Sequence, residues 1–162
     1  HIAAVGYDLY CKLVKEAVEG LKQIPQESHR DIDIELPITA YIPNDFIARQ
    51  DSKLESYQAI ADAKRDEDLA DIQQTWLDRY GPIPDEAVNL LKIAYLKLVA
   101  RSLGIDKIIA KKIPGFGKAE WNIHISPLKL RPSYRVRTLR IYDGSLYKEE
   151  QEELILKIPQ MH

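Results

Sequence analysis

The stretch DRYGPIP, residues 78–84, forms a corner between two segments that each carry the apolar spacing of a helix. A glycine just past a helix end takes the left-handed conformation at little cost, and prolines prevent the helix from continuing. Gly81 and the prolines after it therefore predict a helix end. They leave Asp78 and Arg79 unexplained, because two opposite charges on an exposed corner are either solvated or half of a contact with a partner.

Helical patterns extend on both sides of this corner. Before it, apolar residues at helical spacing follow Asp66, which is a plausible N-cap, and after it a helix is predicted from about Asp85 until Gly104. Further upstream, Ser52 and Glu55 have the spacing of a capping box. The apolar positions are Leu69, Ile72, Trp76 and Leu77 before the corner, and Val88, Leu91, Ala94, Tyr95, Leu98 and Val99 after it.

The amino-terminal part combines a helical stripe with a short strand. An apolar stripe over about residues 7–22 predicts one helix, and the single cysteine, Cys11, is interpreted as a buried thiol within it. The stretch IDIEL, residues 32–36, alternates apolar and acidic residues, which predicts a half-buried strand. The chain begins in mid-pattern without Met, so we expect a piece of a longer protein.

The last third changes from helical to extended patterns. KIIAKKIPGFGKAEWNIHI, residues 107–125, predicts two strands around a turn at Pro114–Gly117. YRVRTLRIYDG, residues 134–144, predicts a third strand, and a short charged helix is predicted from about Leu146 to Lys157. Because helices and strands are segregated, the pattern favours an α+β fold in which a layer of four to five helices packs with a small antiparallel sheet.

The composition excludes several classes of protein. The 162 residues include 25 acidic and 23 basic side chains, a net charge of −2, which gives no long-range attraction for nucleic acid. No apolar run approaches the ~20 residues needed to span a bilayer. We therefore expect a soluble, cytoplasmic domain that makes no membrane contact.

One local cluster of arginines still allows nucleic-acid binding. Its residues are Arg131, Arg135, Arg137 and Arg140, with Tyr134 and Tyr142 beside them. On a strand, Arg135 and Arg137 share a face and Arg140 falls on the other. Both a solvated strand surface and a contact with nucleic acid or an acidic protein fit this pattern.

The residues do not predict a catalytic, cofactor or metal site. GFGK, residues 115–118, lacks the spacing and hydroxyl residue of a phosphate-binding loop. Asp31, Asp33 and Glu35 lie at alternate strand positions, which suits a solvated face or a docking surface for a basic partner better than a calcium loop. Two histidines are chain ends, and His29 and His124 are far apart in sequence.

Several segments of the sequence, spread over roughly residues 1–117, resemble one protein family. HIAAVGYDLYCKLVKEAV, then DIDIELPITAYIPNDFI, then a helical stretch containing LDRYGPIP are similar in order to the C-terminal region of bacterial transcription-repair coupling factors, the Mfd-type DNA translocases. The similarity fades from about Ser126, where family members usually carry a further helix and this chain has SPLKLRPSYRV.

The resemblance implies a division of the chain and a role for each part. Residues 1–25 would be the helical end of the translocase motor, and residues 26–162 a C-terminal regulatory domain without ATPase motifs. That domain would pack on the N-terminal UvrB-like domain of the same protein, mask its UvrA-binding surface and restrain the motor. The parent would bind double-stranded DNA, stalled RNA polymerase and UvrA, with ATP and magnesium in the motor and no cofactor here. We expect the isolated domain to be a monomer.

The resemblance also suggests which residues make the interdomain contact. Asp78 and Arg79 are the first candidates, and Tyr80 and Thr75 are the lesser ones. Family members commonly have an acid near the position of Thr75, which this chain lacks. The alternative is that Asp78 and Arg79 only cap and solvate a helix end.

Overall fold

The computed structural model describes residues 32–115, 117 and 120–158. The helix predicted over residues 7–22, the division at residue 25 and three residues of the GFGKA turn lie outside this part of the chain. Two compact units divide the described residues, one formed by 37–99 and the other by 32–36 together with those from 100 to 158.

The first unit is helical. Helix α1 spans Gln50–Asp62, α2 spans Asp66–Tyr80, and α3 begins at Asp85 and continues to Leu103. The segment before α1 is tied to these helices, because the backbone N–H of Ile42 donates to the Tyr57 hydroxyl at 2.9 Å and Asn89 Nδ2 donates to the Thr39 carbonyl at 3.0 Å. The core residues include Ala40, Ile42, Ile47, Tyr57, Ile60, Leu69, Trp76, Ala87 and Leu90.

The start of α1 differs from the prediction. The helix begins at Gln50 with Arg49 at the N-cap, so Ser52 is already helical and the Ser52–Glu55 capping box does not form. The guanidinium of Arg49 instead binds the Asp51 carboxylate at 2.7 Å. That hydrogen bond is the largest cause lowering the pKa of Asp51.

The second unit contains a five-stranded sheet. Its strands are β1 (Asp33–Glu35), β2 (Lys107–Ile113), β3 (Glu120–Ser126), β4 (Leu146–Lys148) and β5 (Glu153–Lys157), in the order β1-β2-β3-β5-β4. The α+β class is confirmed, and so are β1, β2 and β3. The sheet is mixed rather than wholly antiparallel, because β1 runs parallel to β2. A parallel pair requires a long crossover connection, and the helices between these strands provide it.

The predicted third strand is wrong, because residues 132–141 form helix α4, Pro132–Ile141. Proline at the first helical position is compatible with a helix start, since its missing N–H has no partner there. None of the α4 side chains is buried, so the alternation of the sequence did not mark a buried strand face. The chain therefore does carry a helix in the region where the family resemblance had suggested that one is missing.

The predicted charged helix near the C-terminus is also wrong. Residues 146–157 form β4, a 3₁₀ turn at Glu149–Gln151, and β5. Glu152 adopts a left-handed conformation at φ 49° and reverses the chain. The consecutive apolar residues Leu154 and Ile155 suit a strand because β5 lies between β3 and β4 and uses both of its faces.

None of the helices in the described segments is both long and apolar enough to cross a lipid bilayer.

Candidate functional site

Helix α2 carries the candidate residues, and its first turn is fixed by Asp68. The Asp68 carboxylate accepts hydrogen bonds from the backbone N–H groups of Lys64 at 2.9 Å and Arg65 at 3.1 Å. The bond from Lys64 is the largest cause lowering the pKa of Asp68. Asp66 is the first helical residue rather than the N-cap, which is Arg65. The first turn is thus set by a carboxylate two residues after the predicted one.

The last turn of α2 ends at Gly81, as predicted. Gly81 has a φ of 83°, a conformation that residues with a side chain rarely adopt, and its N–H donates to the Leu77 carbonyl at 3.1 Å. Helix α3 then begins at Asp85, with the Pro84 carbonyl accepting the N–H groups of Ala87 and Val88. Four residues, 81–84, therefore separate the end of α2 from the start of α3.

The inner side of α2 is held by an aromatic cluster. Trp76 is only 1% exposed, and its indole Nε1 donates to the Ser56 hydroxyl at 3.1 Å. The ring of Phe46 meets Trp76 edge-on with centroids 5.8 Å apart, and it meets Tyr80 at 5.6 Å. Tyr80 is therefore half-buried against Phe46, where it supports the helix end and offers only part of its surface.

Three candidate residues lie on the outside of the same helix end. Thr75, Asp78 and Arg79 are all exposed. Thr75 is three residues before Asp78 and four before Arg79, so its side chain neighbours each of the other two on the helix surface. We call these three residues the α2 end face.

Asp78 and Arg79 do not form an ion pair with each other. Consecutive side chains point about 100° apart around a helix, so they do not face one another. Asp78 Oδ1 accepts a hydrogen bond from Gln74 Nε2 at 2.9 Å, one turn earlier, and Arg79 has no ion pair with any residue in the described ranges. The guanidinium of Arg79 is thus free to bind a carboxylate from outside this part of the chain.

The acidic character of the outer face of α2 was missed from the sequence. Glu67 and Asp71 are exposed and lie eleven and seven residues before Asp78, so all three fall on one side of the helix. Helical spacing of the acidic residues is the signal that would have found them. Apart from Arg79 at its end, this face presents negative charge.

The four arginines of the alternative site are not brought together. On helix α4, Arg137 lies about 200° around the axis from Arg135, and Arg140 lies on the side of Arg137. Arg135 pairs with Glu149 at 3.7 Å and lies over the ring of Tyr147 at 5.5 Å. Arg131 is the N-cap and makes no side-chain cap bond. The structure therefore does not contain the single basic strand surface that was predicted.

One histidine–carboxylate pair occurs in the sheet of the second unit. His124 Nδ1 lies 3.0 Å from Glu153 Oε1 across the neighbouring strands β3 and β5. Within the described residues, neither side chain of this pair hydrogen-bonds to a hydroxyl or thiol group. Among the residues that the structure describes, no group of three or more His, Cys, Asp or Glu side chains is placed to hold a metal ion.

Comparison with known proteins gives consistent results. The TRCF domain family model matches residues 36–129. The transcription-repair-coupling factor of Mycobacterium tuberculosis is 33% identical over 170 residues, covering 98% of this chain and 13% of that protein. The Escherichia coli protein of the same name is 34% identical over 128 residues, covering 76% of this chain and 11% of its own length. The chain thus spans about an eighth of the length of these relatives.

A solved structure supports the fold. The crystal structure of a C-terminal domain of transcription-repair coupling factor matches with a TM-score of 0.64, covering 78% of this chain and 79% of that one at 20% sequence identity. At this identity the likeness shows the arrangement of helices and strands.

Proposed function

The chain belongs to the TRCF domain family of transcription-repair coupling factors, and from this membership we propose that it is a non-catalytic regulatory domain of a longer DNA translocase. It packs on the UvrB-like domain at the N-terminus of the same protein and masks the surface that recruits UvrA. In this position it restrains the ATP-dependent motor that displaces stalled RNA polymerase in the bacterial cytoplasm. ATP and magnesium belong to the motor, and this domain uses no cofactor.

The observation that carries the proposal is the contrast between the two sides of the α2 end. Its inner side is fixed by Trp76 and by the packing of Tyr80 on Phe46. Its outer side presents the exposed side chains of Asp78 and Arg79. Charged groups held on a rigid element can dock without first being ordered, which lowers the entropy cost of association.

The charge of this surface defines the partner surface that suits it. Glu67, Asp71 and Asp78 share one side of α2. A complementary face on the UvrB-like domain would be mainly basic, with a carboxylate opposite Arg79. Complementary potentials of this kind determine orientation and association rate more than affinity.

The strength of each contact must remain modest for the domain to act as a switch. An exposed ion pair contributes ~0–1 kcal/mol, whereas breaking a desolvated interfacial pair costs about 2–5 kcal/mol. A competing partner releases the domain only if it binds the released state more tightly than the docked state, by a free energy larger than the summed free energy of these contacts. Several moderate ion pairs around Asp78 and Arg79 meet this condition.

The test uses the full-length translocase that contains this domain. Charge reversal at Asp78 and Arg79 together should raise the basal ATPase rate or increase UvrA binding, because the restraining contact is broken. Glu55→Lys, an exposed change on α1, is the matched control and should leave both readouts unchanged. If the double reversal changes neither ATPase nor UvrA binding, the proposed contact is wrong.

A further inference from the structure

Helix α4 has one half-buried side and, opposite to it, an exposed face. Arg135, Thr138 and Leu139 are its half-buried residues, and they lie three and four positions apart, which places them on one side. Every other α4 residue is exposed. The outward face is therefore defined by the helix itself.

The outward face has arginines in its centre and apolar side chains at its borders. Arg137 and Arg140 project opposite the half-buried side, with Ser133 in the same row. Val136, 58% exposed, borders them on one side, and Tyr134, 55% exposed, and Ile141, 63% exposed, border them on the other. We call these five large residues, Tyr134, Val136, Arg137, Arg140 and Ile141, the α4 face.

The two central arginines differ from Arg135 in their partners. Arg135 has the Glu149 carboxylate and the Tyr147 ring. Neither Arg137 nor Arg140 has an ion pair or a hydrogen bond from its guanidinium within the described parts of the chain. Both planar donors therefore remain available for bidentate binding of carboxylates.

A side-chain anchor just before α4 holds the start of the helix, and a backbone bond closes its last turn. The Tyr147 hydroxyl donates to the Leu128 carbonyl at 2.7 Å and accepts the Leu130 N–H at 3.2 Å, just before the helix. At the other end the Tyr142 N–H donates to the Thr138 carbonyl. A partner would meet a preformed helix and would not have to order it.

We propose that the α4 face is a docking surface for an acidic amphipathic polypeptide segment, one that places carboxylates opposite Arg137 and Arg140 and aliphatic side chains against Val136 and Ile141. Charge complementarity argues for this occupant, since two unpaired cations lie between apolar borders. Nucleic acid fits less well, because the exposed apolar side chains of Val136 and Ile141 beside the arginines suit aliphatic side chains and not a phosphate backbone. The surface lies beyond residues 36–129, so it is separate from the part matched by the family model.

The experiment measures binding of a fluorescent peptide to the 162-residue chain by anisotropy. The probe is a helical peptide of about 18 residues, with glutamates at i and i+4 flanked by leucines. We expect saturable binding that weakens with added salt and falls by about tenfold or more in R137E/R140E. V136S/I141S should also weaken binding. K111E/K112E, a double charge reversal at exposed positions of β2, should leave it unchanged.

Three results would overturn the proposal, provided that circular dichroism shows the variants to be folded. They are no saturable binding of the peptide, equal affinity for R137E/R140E, or equal affinity for a scrambled peptide of the same composition. A DNA duplex of about 20 base pairs is tested in parallel. Tighter binding of the duplex, lost in R137E/R140E, would assign the face to nucleic acid instead.

Discussion

Helices α2 and α4 carry charge on their outward sides but are held in opposite ways. α2 buries Leu69 and Trp76 in the helical unit and packs Tyr80 on Phe46. α4 buries no residue and is held by the Tyr147 hydrogen bonds just before it, by the Arg135 contacts and by the half-buried Leu139. The comparison indicates that a buried core holds the acidic surface of α2, whereas mainly polar contacts hold the basic surface of α4.

The largest effect predicted by this comparison is on α2. Trp76→Ala should destabilise the protein by about 3–5 kcal/mol, because it removes a fully buried ring, its contact with Phe46 and its hydrogen bond to Ser56. Urea unfolding followed by circular dichroism measures this loss.

Leu139→Ala on α4 is the matched truncation and should cost only ~1 kcal/mol, because Leu139 is half-buried. Equal losses for the two variants would contradict the statement that the helices are held differently.

A smaller effect is predicted for the polar attachment of α4. Tyr147→Phe removes the hydroxyl that bonds Leu128 and Leu130, and should cost about 0.5–1.5 kcal/mol. The loss should be local, so amide hydrogen exchange should accelerate in residues 132–141 while α2 keeps its protection.

Tyr134→Phe is the control, because the Tyr134 ring is exposed and its hydroxyl makes no hydrogen bond within the described parts of the chain. If both variants leave the exchange of α4 amides unchanged, the Tyr147 hydroxyl does not hold this helix.

The smallest effect concerns the first turn of α2 and depends on pH. The lowered pKa of Asp68 means that its ionised form stabilises the folded state. This contribution is complete above the ordinary value of 3.8 and is lost as the pH falls through the lower folded-state pKa. The thermal midpoint of Asp68→Ala should therefore lie below that of the wild type near neutral pH. This gap between the two midpoints should close in acid.

Thermal unfolding from about pH 7 to about pH 2.5 measures this gap. Asp66→Ala, within the same turn, is the control for removing a carboxylate that does not accept the N–H groups of Lys64 and Arg65. α4 has no equivalent cap, since Arg131 makes no side-chain cap bond. A gap for Asp68→Ala that persists unchanged into acid would mean that its carboxylate does not cap the helix.

The parts of the fold that the sequence predicted correctly are those with strong local signals. Gly81 and Gly104 both take positive φ values and end helices where expected. The alternation in residues 32–36 marks a real strand with a buried Ile34. α4 and β5 were misjudged because their environment, rather than their periodicity, decides their structure.

The exposure of the candidate residues agrees with the sequence. The corner motif placed Asp78 and Arg79 at an exposed helix end, the family resemblance added Thr75, and all three are exposed in the structure. The inward packing of Tyr80 depends on Phe46, more than thirty residues earlier, and sequence spacing does not reveal such a contact. The arginines of α4 separate onto two sides because the segment is helical, which the strand interpretation could not anticipate. Whether the α2 end face binds the UvrB-like domain stays a prediction.

Calorimetric titration of this domain into the separate UvrB-like domain of the same parent tests the central claim most directly. We predict binding that weakens between about 50 mM and about 500 mM salt, that weakens with Asp78→Lys, and that Glu55→Lys leaves unchanged. A tethered version of the two domains covers the case in which free association is too weak to detect. An affinity that changes neither with salt nor with Asp78→Lys would contradict the account. So would the absence of any association between the two domains in the tethered version.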